Sequence, residues 1–261
     1  MPQPALIFCK NMPIVKLARL ALLAALIGIS ILTYLREQDL APQSVARQAA
    51  PDVSETAQEE PDLRPTSAAP AGSGFDYYVL ALSWSPSYCA AEGPRANRQQ
   101  CASGRPYGFV VHGLWPQYER GYPQDCDTLQ PRDVPFAQAK QLSDIMPSTG
   151  LVTYEWRKHG SCTGLTQKDY FSVVRRAVER VSIPPAYRQP TPRPLVNPLV
   201  LEQAFLSANP GLQQEGIAVT CDSEYLREVR VCLTKDLNFR SCPEVKRSTC
   251  RRRSVEMPAA Q

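Results

Sequence analysis

Aromatic and β-branched residues crowd into residues 76–84 (DYYVLALSW) and 107–115 (YGFVVHGLW), each bounded by glycine or proline, and the pattern predicts two strands. Residues 217–221 and 225–233 repeat it towards the far end of the chain. Between these pairs the apolar spacing lengthens to that of amphipathic helices, over residues 136–145, the region around 154–159, 167–181 and 199–206. Ser143, Asp144 and Pro147 mark where the first of these helices runs out. Strands at both ends with helices in the middle predict an α+β domain: a largely antiparallel sheet with packed helices and no internal repeat.

One stretch follows neither period. Residues 17–35 are apolar apart from Arg19, Ser30 and Thr33, and as a helix they would measure roughly 28 Å, close to the thickness of a bilayer's hydrocarbon core. Lys10, Lys16 and Arg19 lie before or at the start of the run, and Glu37 and Asp39 follow it. The positive-inside rule then keeps the amino terminus in the cytoplasm and puts everything downstream on the periplasmic or extracellular side. The run reads as an uncleaved membrane anchor or as a signal peptide. Residues 34–37 offer no small-x-small cleavage site and the alanines at 46–50 lie far downstream, which favours the anchor. Residues 36–74 are rich in Ala, Pro, Gln, Ser and Glu and cannot bury enough apolar surface to offset ordering entropy, so they read as a disordered stalk. The expected organisation is an anchor or signal segment at 1–35, a stalk at 36–74 and one folded domain at 75–261. A single apolar run excludes a polytopic membrane protein.

Charge and cysteines sharpen this picture. The whole chain carries a formal +4, but the stalk is acidic, and residues 75–261 hold 23 Lys and Arg against 18 Asp and Glu. Lys246, Arg247, Arg251, Arg252 and Arg253 form a basic tail, either simply solvated or placed to steer a polyanion. Cys9 precedes the apolar run, leaving Cys89, Cys101, Cys126, Cys162, Cys221, Cys232, Cys242 and Cys250 in the exported part. An even set in an exported domain means disulfides, although spacing alone does not choose their pairing. Two histidines and no paired C-x-x-C spacing argue against a metal site, and no cofactor is expected.

Both histidines sit in unusual surroundings. His112 ends an apolar strand, beside Gly113, Trp115 and Pro116; His159 follows Glu155 at helical spacing, with Lys158 between them and Gly160 and Cys162 after. On a helix Glu155 and His159 share one face, with Lys158 adjacent. Taken alone, a histidine beside tryptophan is a packed core residue and a Glu-Lys-His run a solvated helix face. Together they fit phosphodiester cleavage in RNA, which needs a base for the 2′-hydroxyl, an acid for the leaving oxygen and positive charge for the phosphorane. Two imidazoles titrate in the right range for the first two tasks, and Lys158 carries the charge.

The segments FVVHGLWP at 109–116 and EWRKHGSC at 155–162, in that order, with SWSP at 83–86, resemble the active-site segments of the ribonuclease T2 family of base-unspecific secreted endoribonucleases. The resemblance spans roughly residues 75–250. It implies an α+β fold, disulfides and two-step cleavage through a 2′,3′-cyclic phosphate; single-stranded RNA is the expected substrate, and a monomer without cofactor is expected. Carried over, His159 is the base and His112 the acid, with Glu155 and Lys158 stabilising the transition state. Trp115 stacks on a base or simply packs, and Tyr122 is a second stacking platform. Tyr154 stands where many members carry a third, phosphate-binding histidine, and Gln117 where many carry an acid that bears on base preference. Ser161 replaces the more usual threonine. The resemblance also implies Cys126–Cys162, Cys232–Cys242 nested inside Cys221–Cys250, and Cys89–Cys101 as a local loop. The competing class is a catalytically silent RNA- or protein-binding module on the same fold, which would be free to lose the His112, Glu155, Lys158 and His159 set.

Overall fold

The computed structural model describes residues 70–191 and 193–259, so the segment 17–35, Cys9 and residues 36–69 of the expected stalk lie outside the described residues. Ser73, counted with the stalk in the sequence, already donates its N–H to the Thr163 carbonyl at 2.9 Å, and Gly72 is buried. The folded part therefore takes in residues just before 75.

β1 (Tyr77–Trp84) runs between β2 (Phe109–Gln117) and β5 (Leu226–Leu233), and β4 (Ile217–Cys221) completes an antiparallel sheet of order β2-β1-β5-β4. A central strand is covered on both faces, which is why this segment lacks polar alternation. Period two sends Tyr78, Leu80, Leu82 and Trp84 into the main core against the helices. Tyr77 and Val79 face the other way, into a smaller cluster with Cys232 and Cys242 against which Trp115 and Val245 pack. The functional cleft is built on that second face.

The helices are α1 (Ser85–Glu92), α2 (Arg98–Cys101), α3 (Phe136–Lys140), α4 (Thr149–Lys158), α5 (Gln167–Arg180), α6 (Pro198–Ala208) and α7 (Pro243–Lys246). A two-stranded ribbon pairs β3 (Arg193–Val196) with β6 (Val255–Met257). The α+β class and the antiparallel sheet agree with the sequence pattern. Several boundaries do not. The helix expected over 136–145 stops at Lys140, because residues 141–145 continue as tight turns. There the Gln141 carbonyl and the Asp144 carboxylate are taken by Arg175 of α5, and the Ile145 carbonyl by the Val111 N–H. The helix expected around 154–159 begins a full turn and more earlier, since the Ser148 hydroxyl accepts from the Leu151 N–H and caps it. The strand carrying SWSP turns into α1 at Ser85, with Pro86 in the first helical turn. The basic tail is not a tail: Arg251–Arg253 lie between disulfide-bonded Cys250 and β6.

Disulfides join Cys89 to Cys101, Cys126 to Cys162, Cys221 to Cys250 and Cys232 to Cys242. No helix among the described residues is long and apolar enough to cross a membrane.

Candidate active site

His112 owes its direction to an irregularity in β2. Ala81 pairs with Gly113 and Leu82 with Val111, so His112 is the extra residue of a bulge. The bulge lets Val111 and Leu114 both enter the main core while His112 and Trp115 emerge on the opposite face. From the other side, α4 brings in the second segment. Its Trp156 is fully buried against Tyr170 and Phe171 of α5 and donates to the Pro131 carbonyl, which fixes the helix's rotation. Glu155, the adjacent residue, is thereby directed at β2. Gly113 makes room for it, since a Cβ there would collide with the Glu155 carboxylate and the Trp115 indole nitrogen. His159 is the residue at which the helix ends; its N–H still bonds to the Glu155 carbonyl before a 3-10 turn, Gly160–Thr163, takes over.

All eight sequence candidates line one cleft of about 320 Å³: His112, Trp115, Gln117, Tyr122, Tyr154, Glu155, Lys158 and His159, joined by Val79, Arg230 and Val245. His112 Nε2 lies 3.6 Å from Glu155 Oε1, and the Trp115 indole donates to Glu155 Oε2 at 2.8 Å. The Trp115 ring sits between the two imidazoles, with centroids 5.3 Å from His112 and 5.5 Å from His159. Tyr122, exposed, stands 6.4 Å from His159. Lys158 donates to the Tyr154 hydroxyl at 3.0 Å, so Tyr154 holds the ammonium at the rim. Gln117 turns its amide back onto the Pro116 carbonyl. Trp115, half-buried, packs against the small cluster and also lines the cleft.

The ionisable groups are driven apart. Burial pushes His159 down to about 4, helped by the positive charges of Lys158 and His112. Its Nδ1 is buried with no hydrogen-bond partner among the described residues. Burial also works against charging His112, but the hydrogen bond and negative charge of Glu228, with the charge of Glu155, outweigh it and hold the ring above its usual 6.5. Burial pushes the Glu155 carboxyl up to about 7 against the pull of His112, Trp115 and Lys158. The hydrogen bond to Tyr154 raises Lys158, which stays charged. The cleft thus offers an imidazole biased towards its neutral form, an imidazole biased towards its charged form, an ammonium and a carboxyl poised near neutrality. Among the described residues no group of three or more His, Cys, Asp or Glu is placed to hold a metal ion.

Two residues of the site were missed in the sequence. Glu228 and Arg230 of β5 approach from the far side of β1: Arg230 lines the cleft, 5.2 Å over the Trp115 ring, and Glu228 contacts His112 Nδ1 at 2.5 Å from outside it. A signal existed: LREVRVCL places opposite charges two apart, on one face of a strand whose other residues are nearly all apolar.

Comparison with known proteins agrees with this geometry. A family model described as Ribonuclease T2 family matches residues 75–242. The ribonuclease of Aeromonas hydrophila is 39% identical over 170 residues, covering 62% of this chain and 73% of that protein. A probable ribonuclease of Haemophilus influenzae is 35% identical over 121 residues, covering 42% of this chain and 44% of that one. Among solved structures, an RNase-related protein from Calystegia sepium shares the fold with a TM-score of 0.58 at 24% identity, covering 72% of this chain and 100% of its own. The two histidine segments, the sheet that carries them and these likenesses make one case: the chain belongs to the Ribonuclease T2 family and is a T2-type endoribonuclease.

Proposed function

We propose that the chain is an exported endoribonuclease that cleaves single-stranded RNA by metal-independent transphosphorylation, with His159 as base and His112 as acid. The observation that carries this reading is that the only two histidines of the chain share one cleft with their proton affinities displaced in opposite directions. His159 is then neutral and free to accept a proton near pH 7, while His112 is biased towards the form that has one to give.

His159 takes the proton of the 2′-hydroxyl as its oxygen bonds to phosphorus. The bond from phosphorus to the 5′-oxygen breaks, and His112 protonates that leaving oxygen. The product is a 2′,3′-cyclic phosphate. In its hydrolysis the roles exchange: His112, now neutral, takes a proton from water, the water oxygen bonds to phosphorus, and His159 returns its proton to the departing 2′-oxygen. Lys158 offsets the charge that builds on the phosphorane, and the part of the Glu155 population that is protonated near pH 7 donates a hydrogen bond to a non-bridging oxygen. Tyr154 holds the Lys158 ammonium in place. Tyr122 supplies an exposed ring on which a base can stack, while Trp115 and Gln117 wall the cleft beside it.

Imidazoles and ammonium supply both the proton transfers and the charge, so the reaction requires no metal. Every group named comes from a single chain, so a monomer suffices. Four disulfides support export, because such bonds persist in oxidising compartments. The test is digestion of single-stranded RNA and of DNA by the purified chain in excess EDTA. RNA fragments ending in cyclic phosphate are expected, with DNA untouched for want of a 2′-hydroxyl. Cleavage lost on chelation and restored by a divalent ion overturns the mechanism; RNA bound but uncut would instead favour the silent binding module.

A further inference from the structure

We infer that Glu228 is a positioning residue for His112, fixing which imidazole nitrogen carries the transferable proton and holding the charged ring in place. This rests on the reading of His112 as the acid. Glu228 has little freedom of its own. Its backbone is paired on both sides, with Ser83 of β1 and Thr220 of β4, and its side chain is buried. Its two oxygens have separate partners. Oε2 accepts from Arg230 Nε at 2.8 Å and pairs with Arg230 Nη2 at 2.7 Å, which leaves Oε1 for His112 Nδ1 at 2.5 Å.

An ionised carboxylate only accepts hydrogen bonds, so the hydrogen of this contact belongs to His112 Nδ1. The neutral ring must then be the Nδ1–H tautomer, and the proton that comes and goes is the one on Nε2, the nitrogen facing Glu155. A ring held the other way round would turn its exchangeable proton onto Glu228. Glu228 stays ionised throughout the working range: burial opposes this, but the hydrogen bond and charge of His112, with the charge and hydrogen bond of Arg230, bring it down to about 2. The groups facing the ring are therefore Glu228 and Arg230 from β5 and Glu155 from α4, with His159 across Trp115. Arg230 partly offsets the negative charge that Glu228 presents to the imidazolium.

The competing reading is that Glu228 merely neutralises half-buried Arg230. The full chain distinguishes the two readings because it has only two histidines, giving two imidazole resonances that a His159→Ala variant assigns. In the parent, heteronuclear NMR is expected to show His112 Nδ1 protonated at every pH and Nε2 losing its proton as the ring titrates. This measurement needs no variant at Glu228. In Glu228→Gln the His112 midpoint should fall by about one pH unit or more while that of His159 stays in place. The alkaline limb of kcat/KM should fall with it, giving about a tenfold loss above that limb and an unmoved acid limb. Glu228→Asp, which keeps the charge, should restore part of the shift. A neutral His112 with its hydrogen on Nε2, or a Glu228→Gln midpoint equal to the parent's, overturns the inference. Absence of RNA cleavage by the parent would instead remove the catalytic reading, while the NMR titration would still report on the contact itself.

Discussion

Gly113 is the residue on which the approach of α4 to the sheet turns. With no Cβ, it lets the Glu155 carboxylate and the Trp115 indole lie directly against the backbone of β2. Gly113→Ala should displace Glu155 and cost on the order of 1–3 kcal/mol, as overpacking does, with a larger loss in activity than in stability; thermal melting and RNA cleavage measured together check this. The histidines make a sharper test. His112→Ala and His159→Ala should each lower kcat by about 10²–10⁴ while remaining folded. The sign of the pH dependence follows from their displacement. His159 must be neutral, so activity rises as pH climbs through about 4. His112 must be charged, so activity falls as pH rises through a value above 6.5. A profile centred below pH 5, or a histidine variant with near-parental activity, would transfer these roles elsewhere. At this scale most of the site was legible, because His112, Glu155, Lys158 and His159 lie in two short segments whose spacing carries their chemistry. Glu228 was not legible: it meets His112 only through the pairing of β5 with β1, across 116 residues of chain.

Among the elements, the loop that follows β2 is held down more firmly than a loop of its length requires. The Gly121 N–H bonds to Glu244, the Asp125 N–H bonds to the Lys158 carbonyl at 2.8 Å, and Cys126 is bridged to Cys162 just beyond His159. The clamp fixes Tyr122 against His159 and brings the end of α4 to the strand carrying His112. Removing a native disulfide typically costs about 2–5 kcal/mol. The Cys126→Ala, Cys162→Ala double variant should therefore lose activity at temperatures where circular dichroism still reports the fold. The Cys89→Ala, Cys101→Ala variant should be gentler, because that bridge joins α1 to α2 and neither cysteine lines the catalytic cleft or adjoins a histidine in sequence. Loss of activity only in step with unfolding, in both variants, would leave the Cys126 bridge a purely structural one. Strands and long helices were legible from period and composition, while their ends were not. The start of α4 is set by the Ser148 hydroxyl, which no apolar period marks, and residues 141–145 read as helix until Arg175 takes their acceptors.

Across the whole molecule the positive charge is organised around α7. Val245 lines the catalytic cleft, and the next two residues, Lys246 and Arg247, line a neighbouring groove of about 410 Å³ completed by Arg251, Arg252 and Arg253. No carboxylate lines that groove, although Lys246 is tied to buried Glu202 behind it and Asp222 feels the charge of Arg252. A flexible basic tail would have to pay ordering entropy to present its charges in a fixed arrangement. Here the arginines are presented by a segment anchored at Cys250 and at β6, one step along α7 from the cleft. On the proposed function, an RNA strand leaving the cleft past Val245 meets these cations next. Replacing Arg251, Arg252 and Arg253 with serine should raise KM for long RNA and flatten its salt dependence, by about 0.7 in log–log slope for each phosphate left without its arginine. The same variant should cleave a dinucleotide, too short to reach α7's far side, with unchanged kcat and KM. Equal losses on both substrates would mean that the arginines act on the fold or the cleft rather than on the strand beyond it, and unchanged KM on long RNA would return them to the solvent.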